Sequence, residues 1–392
     1  MTKDDFIDIC PYDDSVFREK MTQLVKEPGF EHAVKYVMPN VDYATFSKQL
    51  CEINSQEAFQ LNIMCPFLEM LVKKTTAGIS SSGFENIDNT QSYTFITNHR
   101  DIVLDASFLN LCLVKNQFPT CQVAIGSNLL IFDWISDLVK LNKSFIVKRN
   151  LPMLQALKAA KQLSGYIYYA ITQMKQSVWI AQREGRAKDS DDRTQESLIK
   201  MLGLEGNGDT FENLMAKQLA PIAISYEFDP NDYLKAREFL LRKLNPDFQK
   251  SQRDDLFSME IGLLQFKGRV HFAMCKCINS ELELLKDCDR NELIHNVSTI
   301  IDKAIHANYT IYPINYIAYD QLENGTRFAS QYTNKDVEEV KDESNTSSDT
   351  KENIEVNKEN SNQNKVELNE TKEQKEETKE EIVVKGSYNP NL

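Results

Sequence analysis

Nowhere does this chain hold an unbroken apolar run of about 18 or more residues, the length a bilayer-spanning helix needs, so no segment is expected to cross a membrane. Its opening, MTKDDFIDIC, is acidic where a secretory signal would be basic. Eight cysteines, at 10, 51, 65, 112, 121, 275, 277 and 288, follow no regular spacing and lie in apolar segments. That argues against a disulfide framework and for reduced thiols in the cytosol. No GxSxG elbow, P-loop, dinucleotide fingerprint or internal repeat is present. His271, Cys275, Cys277, Cys288 and His295 offer one CxC without a paired CxxC, so a reduced core is expected there rather than zinc, and no metal or cofactor is implied. With 45 Lys and Arg against 58 Asp and Glu, net −13, attachment to nucleic acid through overall charge is excluded. Any phosphate-binding function must be local.

What remains is a chain of 392 residues and 41% apolar content, enough to bury a substantial core. Residues 1–90 read as helical. Val16, Phe17, Met21, Leu24 and Val25 form one stripe, and Leu61, Met64, Phe67, Leu68, Leu71 and Val72 another, with Pro66 starting or kinking the second. The stretch AGISSSG at 77–83 reads as a turn. From Tyr93 short apolar strands (YTFIT, QVAIG, SFIVK, SVWIA, APIAISYEF, FKGRVHFAM) alternate with amphipathic segments, which predicts an α/β domain over 91–333 with a mostly parallel sheet covered by helices. In such sheets function gathers at strand ends. The tail from Lys335 holds 9 lysines, 16 acidic residues and one aromatic, Tyr388, so 334–392 is expected to be a disordered acidic tail.

Two features carry chemistry. Between Asp137 and Glu184 there is no acidic residue, yet Lys140, Lys143, Lys148, Arg149, Lys158, Lys161, Lys175 and Arg183 all fall there. In so acidic a chain this points to a phosphate, an anionic lipid surface or an acidic carrier protein, against the plain alternative of a solvated basic helix face. The second feature is NHRDIVLD, Asn98 to Asp105, where the strand YTFIT runs into a helix. Of the five histidines only His99 has carboxylates, Asp101 and Asp105, close by at a strand end. A general base needs an imidazole near its reference pKa of about 6.5 and a carboxylate to fix its tautomer. The plain alternative is an N-cap aspartate beside a satisfied histidine. A kinase HRD motif would need an asparagine where this chain has Ala106.

NHRDIVLD, SFIVKR at Ser144 to Arg149, QREGRAKD at Gln182 to Asp189 and APIAISYE at Ala220 to Glu227 resemble, in this order, the four blocks of the phospholipid/glycerol acyltransferase superfamily. The likeness is greatest to its bacterial 1-acylglycerol-3-phosphate and glycerol-3-phosphate branch and spans roughly 90–275. The family's first block places Asp five residues after His, where this chain has Leu104, with Asp101 and Asp105 on either side. The third block, Glu184-Gly185-Arg186, is one residue shorter than the family's EGTR, and Lys143 or Ser144 replaces the glycine that opens the second. The resemblance implies an acyltransferase of phospholipid biosynthesis, with His99 as base and Asp105 or Asp101 orienting it. Lys148, Arg149, Glu184, Gly185 and Arg186 would hold the acceptor's phosphate, and Pro221 would shape the acyl pocket. It further implies acyl-CoA, acyl carrier protein or acyl phosphate as donor, a phosphorylated glycerol or lysophospholipid as acceptor, and peripheral attachment to the cytoplasmic face of a membrane. Two other readings stay open: a non-catalytic lipid- or acyl-carrier-binding protein, and a thioesterase with water as acceptor.

Overall fold

Strands rich in β-branched and aromatic residues form one seven-stranded sheet in a computed structural model that describes residues 2–188 and 191–341. They are β1 (Gly78–Ser82), β2 (Thr94–Thr97), β3 (Gln122–Gly126), β4 (Ser144–Val147), β5 (Val178–Ala181), β6 (Leu219–Tyr226) and β7 (Arg269–Met274), in the order β1-β7-β6-β2-β5-β3-β4. Every neighbouring pair is parallel except β6 with β7. The fold is therefore α/β, with a mostly parallel sheet covered by helices and preceded by a helical N-terminal region. β1 corrects the turn expected at 77–83. Its GISSS sequence has too little apolar character to announce a strand, and its backbone is paired along β7 from Gly78 with Arg269 to Ser82 with Ala273.

The N-terminal helices are α1 (Asp14–Leu24), α2 (Pro28–Val37), α3 (Tyr43–Glu52), α4 (Gln56–Phe59) and α5 (Cys65–Thr75). Between α4 and α5 the chain makes a π turn over Gln60–Met64. Pro66, which cannot donate to the helical ladder, sits at the start of α5 just after it. Between strands lie α6 (Leu104–Lys115), α7 (Asp133–Leu141), α8 (Met153–Thr172), α9 (Glu196–Leu202), α10 (Thr210–Ala216), α11 (Asp232–Leu244) and α12 (Gln252–Leu264). After β7 come α13 (Asn279–Glu283) and α14 (Arg290–Ala307).

The two-residue period of the strands divides the core. Ile96, Val178, Ile180 and Ala223 pack with Tyr166 and Ile167 of α8 and Val297 and Ile301 of α14. Phe95, Trp179, Ile222 and Ile224 join Leu109 of α6 and Leu68 and Leu71 of α5. A third cluster, Phe17, Met21, Leu24, Phe30, Leu50 and Phe59, closes on Leu141 of α7. The N-terminal helices thus pack onto a helix of the sheet region. Among the described residues the chain divides into two compact units between Ile311 and Tyr312. Within the second unit, α15 (Pro313–Leu322) is tied to the following turn by Asp320, which accepts from Phe328 N and Tyr332 OH. Residues 334–341 are helical, and the remainder of the expected tail, 342–392, lies outside the described residues.

Candidate active site

The carboxyl ends of β2, β4 and β5 lie along one edge of the sheet, because these strands are linked through parallel pairings. At the end of β2, the Asn98 side chain donates to Ile224 O (2.9 Å) and accepts from Ile224 N (2.8 Å). This clamp to β6 fixes the point at which the chain leaves the sheet, and His99 is the next residue. The loop then folds around a single carboxylate oxygen: Asp105 Oδ2 meets His99 Nδ1 at 2.7 Å and accepts from Arg100 N at 2.6 Å and Asp101 N at 3.1 Å. A spacing of six rather than five is accommodated because Asp105 stands in the first turn of α6, below the loop it collects. Asp105 is fully buried, whereas the His99 side chain retains 12% exposure and has its ring edge against Trp179. In this geometry Nδ1 faces Asp105, which leaves Nε2 as the ring nitrogen turned away from the carboxylate.

Asp101 takes a different position. Its Oδ1 accepts from Val103 N (2.9 Å) and Leu104 N (2.8 Å), capping α6, while Oδ2 accepts from Asn231 Nδ2 (3.2 Å). Burial, followed by the neighbouring Asp105 charge, pushes its pKa up, and the two backbone donors and Arg186 act in the opposite direction. Gly262 of α12 is pressed against it: a Cβ there would come 2.0 Å from Asp101 Oδ2. The phenol of Tyr226, at the end of β6, is held far above its usual range by burial and then by Asp105 and Asp101. It is a neutral group beside the carboxylate pair.

The cationic side of the site is built by the segments after β4 and β5. Arg149 N donates to Ser127 Oγ (3.0 Å), and Arg149 Nη1 pairs with Glu184 Oε1 at 3.2 Å. Gly185 turns the chain at φ +70°. Two residues on, Ala187 N donates to His99 O (3.1 Å), tying this turn to the backbone of the histidine. Arg186 lies between them with Nη1 buried and without a hydrogen-bond partner. The Lys148 ammonium is bonded to Asp8 and Gln162. Pro221 does not shape a pocket. It is buried within β6 opposite Ile96, with its carbonyl accepting from Cys275 N, so its role is in the sheet.

His99, Lys148, Arg149, Glu184, Gly185 and Arg186 all line one cavity of roughly 2410 Å³. The rest of its wall is largely apolar: Phe30 and Val37 of α2, Leu50 of α3, Phe67 of α5, Trp134 and Leu138 of α7, Leu163 of α8 and Leu263 of α12. Ordinary small-molecule pockets occupy about 300–1,000 Å³, so this one has room for ligands with long chains. The N-terminal helices, in which the sequence displays no catalytic constellation, thus supply part of the binding wall. The one signal was an apolar surplus, with Met64 and Phe67 half-buried at the cavity instead of sealed in the core.

The eight cations of 140–183 do not form one face. Lys140 and Lys143 are turned inward, bonded to Asp8 O and Thr120 Oγ1, and burial lowers the pKa of both. A second network escaped sequence reasoning because its members are far apart in the chain. The Arg100 guanidinium and Tyr309 hydroxyl both bond buried Asp192, and Lys235 Nζ donates to Arg100 O (3.0 Å) and pairs with Asp229. These contacts brace the loop that carries His99. All eight cysteines are free, His271 is shared by Ser80 and Ser82, and among the described residues no three His, Cys, Asp or Glu side chains are grouped to hold a metal. Among those residues, no helix is long and apolar enough to cross a membrane.

No protein-family profile matches the chain, and no curated protein matches it. Among solved structures it is similar to the crystal structure of the 1-acyl-sn-glycerophosphate (LPA) acyltransferase PlsC from Thermotoga maritima, with 10% identity, coverage of 75% of this chain and 98% of that chain, and a TM-score of 0.35.

Proposed function

We propose that the chain is an acyltransferase that moves a fatty acyl group from a thioester to a hydroxyl of a phosphorylated glycerol or lysophospholipid. The observation that carries this reading is the His99–Asp105 pair, 2.7 Å apart, in the wall of a large apolar cavity that Arg186 also lines. In this mechanism His99 Nε2 takes the acceptor hydroxyl's proton as its oxygen bonds to the thioester carbonyl carbon. Asp105 stabilises the imidazolium that forms. As the tetrahedral intermediate collapses the C–S bond breaks, and the leaving sulfur receives the proton from His99. Base catalysis of this kind is worth roughly 10² to 10⁴ in rate.

Arg186, with Arg149 and the Glu184-Gly185 turn, supplies the charge for the acceptor's phosphate. Ala187 N bonding to His99 O couples that phosphate site to the base, which sets the hydroxyl at the imidazole and provides the advantage of orientation. The apolar walls from α2, α3, α5 and α7 receive the acyl chain. A merely lipid-binding protein has no need of a carboxylate-oriented imidazole, and a thioesterase has no need of the phosphate-sized cation beside it. Purified protein incubated with each pairing of acyl-CoA or acyl carrier protein thioester with glycerol 3-phosphate or its monoacyl form, and analysed by mass spectrometry, tests the reading. An O-acyl ester is expected for at least one pairing. Acyl release to water alone, or no turnover with any pairing, overturns it.

A further inference from the structure

The start of α8 exposes apolar side chains where a globular surface would not. Met153 is 88% exposed, Leu154 84% and Leu157 52%, within two helical turns. On the other side of the same helix, Ala156, Ala159, Ala160 and Leu163 line the cavity. α11 has the same two-sided character: Phe239 lines the cavity, while Leu240 and Leu244 are 56% and 73% exposed. Two helices that wall one apolar cavity therefore both turn leucines outward.

The charges around these leucines have one dominant sign. α8 contains no Asp or Glu and carries Lys158 and Lys161 on the stripe that continues from Leu154 and Leu157, with Lys161 3.6 Å from Glu205. α11 ends in Arg242 and Lys243, and its Glu238 is turned inward against Lys188 and Arg242. Exposed leucine and methionine bordered by lysine and arginine match a bilayer with anionic headgroups, into which the apolar residues enter while the cations meet the phosphates. The position next to an acyl cavity suits a substrate that is drawn from the bilayer.

We propose that the first turns of α8, together with the outward face of α11, seat the protein on an anionic lipid surface; the inference rests on the cavity's being an acyl site. It relocates the membrane contact from the basic segment as a whole, whose Lys140 and Lys143 are buried, to these two helices. The test is co-sedimentation of the full chain with phosphatidylglycerol/phosphatidylcholine vesicles, for wild type and for Leu154→Gln/Leu157→Gln and Lys158→Glu. Wild type is expected to pellet with anionic vesicles in a salt-sensitive manner. The leucine pair variant should lose at least about tenfold in partition, since two apolar side chains no longer leave water. Lys158→Glu should lose less, and its loss should vanish at high salt. Transfer between detergent-dispersed donor and acceptor should be unchanged in both variants. Undiminished vesicle binding by the leucine variant overturns the proposal, and so does a wild-type dimer that this variant splits while vesicle binding persists, which would make the face a self-association surface. A wild type that pellets through these leucines but makes no ester supports the docking surface and removes the acyltransferase reading instead.

Discussion

A single carboxylate oxygen organises the candidate site. Asp105 Oδ2 receives the imidazole N–H and two backbone N–H groups, so Asp105→Asn removes the charge that stabilises His99 in its protonated form and weakens the loop. We expect His99→Ala and Asp105→Asn each to lower kcat by about 10² to 10⁴, with circular dichroism showing a folded protein in both cases. Asp101 bonds the helix start and Asn231 instead, so Asp101→Ala is expected to cost about 1–2 kcal/mol of stability in denaturant melts. An inactive but fully stable Asp101→Ala protein would transfer the orienting role to it. The two arginines are also unequal. Arg186 has a buried, unpartnered nitrogen, whereas Arg149 is already paired with Glu184. Arg186→Ala should therefore forfeit about 1.5–3 kcal/mol of acceptor recognition, read as a fall in kcat/KM for the phosphorylated acceptor, and Arg149→Ala less. Equal losses would contradict this ranking.

Among the elements, α12 is the one that no pattern in the chain connects with the site. Gly262 touches Asp101 so closely that a methyl group at 262 must displace either the helix or the capping carboxylate. Gly262→Ala is accordingly expected to destabilise the protein by about 1–3 kcal/mol, although alanine is the better helix former. A more stable Gly262→Ala protein would show that α12 is free to move off the loop. The strands from β2 to β7 were legible because apolar, β-branched runs bounded by polar turns mark buried strands, and the helix stripes of α1 and α5 were legible by their period. β1 was not, since an edge strand of glycine and serine is held by backbone pairing and by the Ser80 and Ser82 bonds to His271 and carries no apolar pattern. His99 and Asp105 stood out as an imidazole and a carboxylate at a strand end and Arg149 as a cation of the acid-free segment, whereas Arg186 entered only through the resemblance. The bracing network of Arg100, Asp192, Lys235 and Tyr309 did not, because the sheet unites residues that no local pattern links. Pro221 was assigned to the acyl pocket through resemblance, while its place in the middle of β6 puts it in the sheet core.

At the scale of the whole molecule, several cations are held inside. Burial lowers the Lys217 ammonium to about 7, against a smaller opposing pull from Glu205, and Nζ donates to Glu205 O (2.6 Å). Between about pH 7 and its ordinary 10.5 the unfolded chain binds more protons at this residue than the folded protein does. The stability contributed by Lys217 is therefore lowest below pH 7 and rises with pH through that window, by at most about 1.4 kcal/mol per pH unit. In chemical denaturation, the stability of wild type minus that of Lys217→Met should rise from pH 7 to pH 10. A flat difference would mean that the ammonium is solvated. The cavity is likewise a property of the tertiary fold, because N-terminal helices, sheet ends and helices α11 and α12 all contribute to its wall. The most direct test of the account is single-turnover transfer from a long-chain acyl thioester to a monoacyl glycerophosphate, followed by mass spectrometry, with wild type and folded His99→Ala in parallel. The account predicts ester formation by wild type and at least about a hundredfold loss in His99→Ala. Ester formation at equal rates by the two proteins would contradict it.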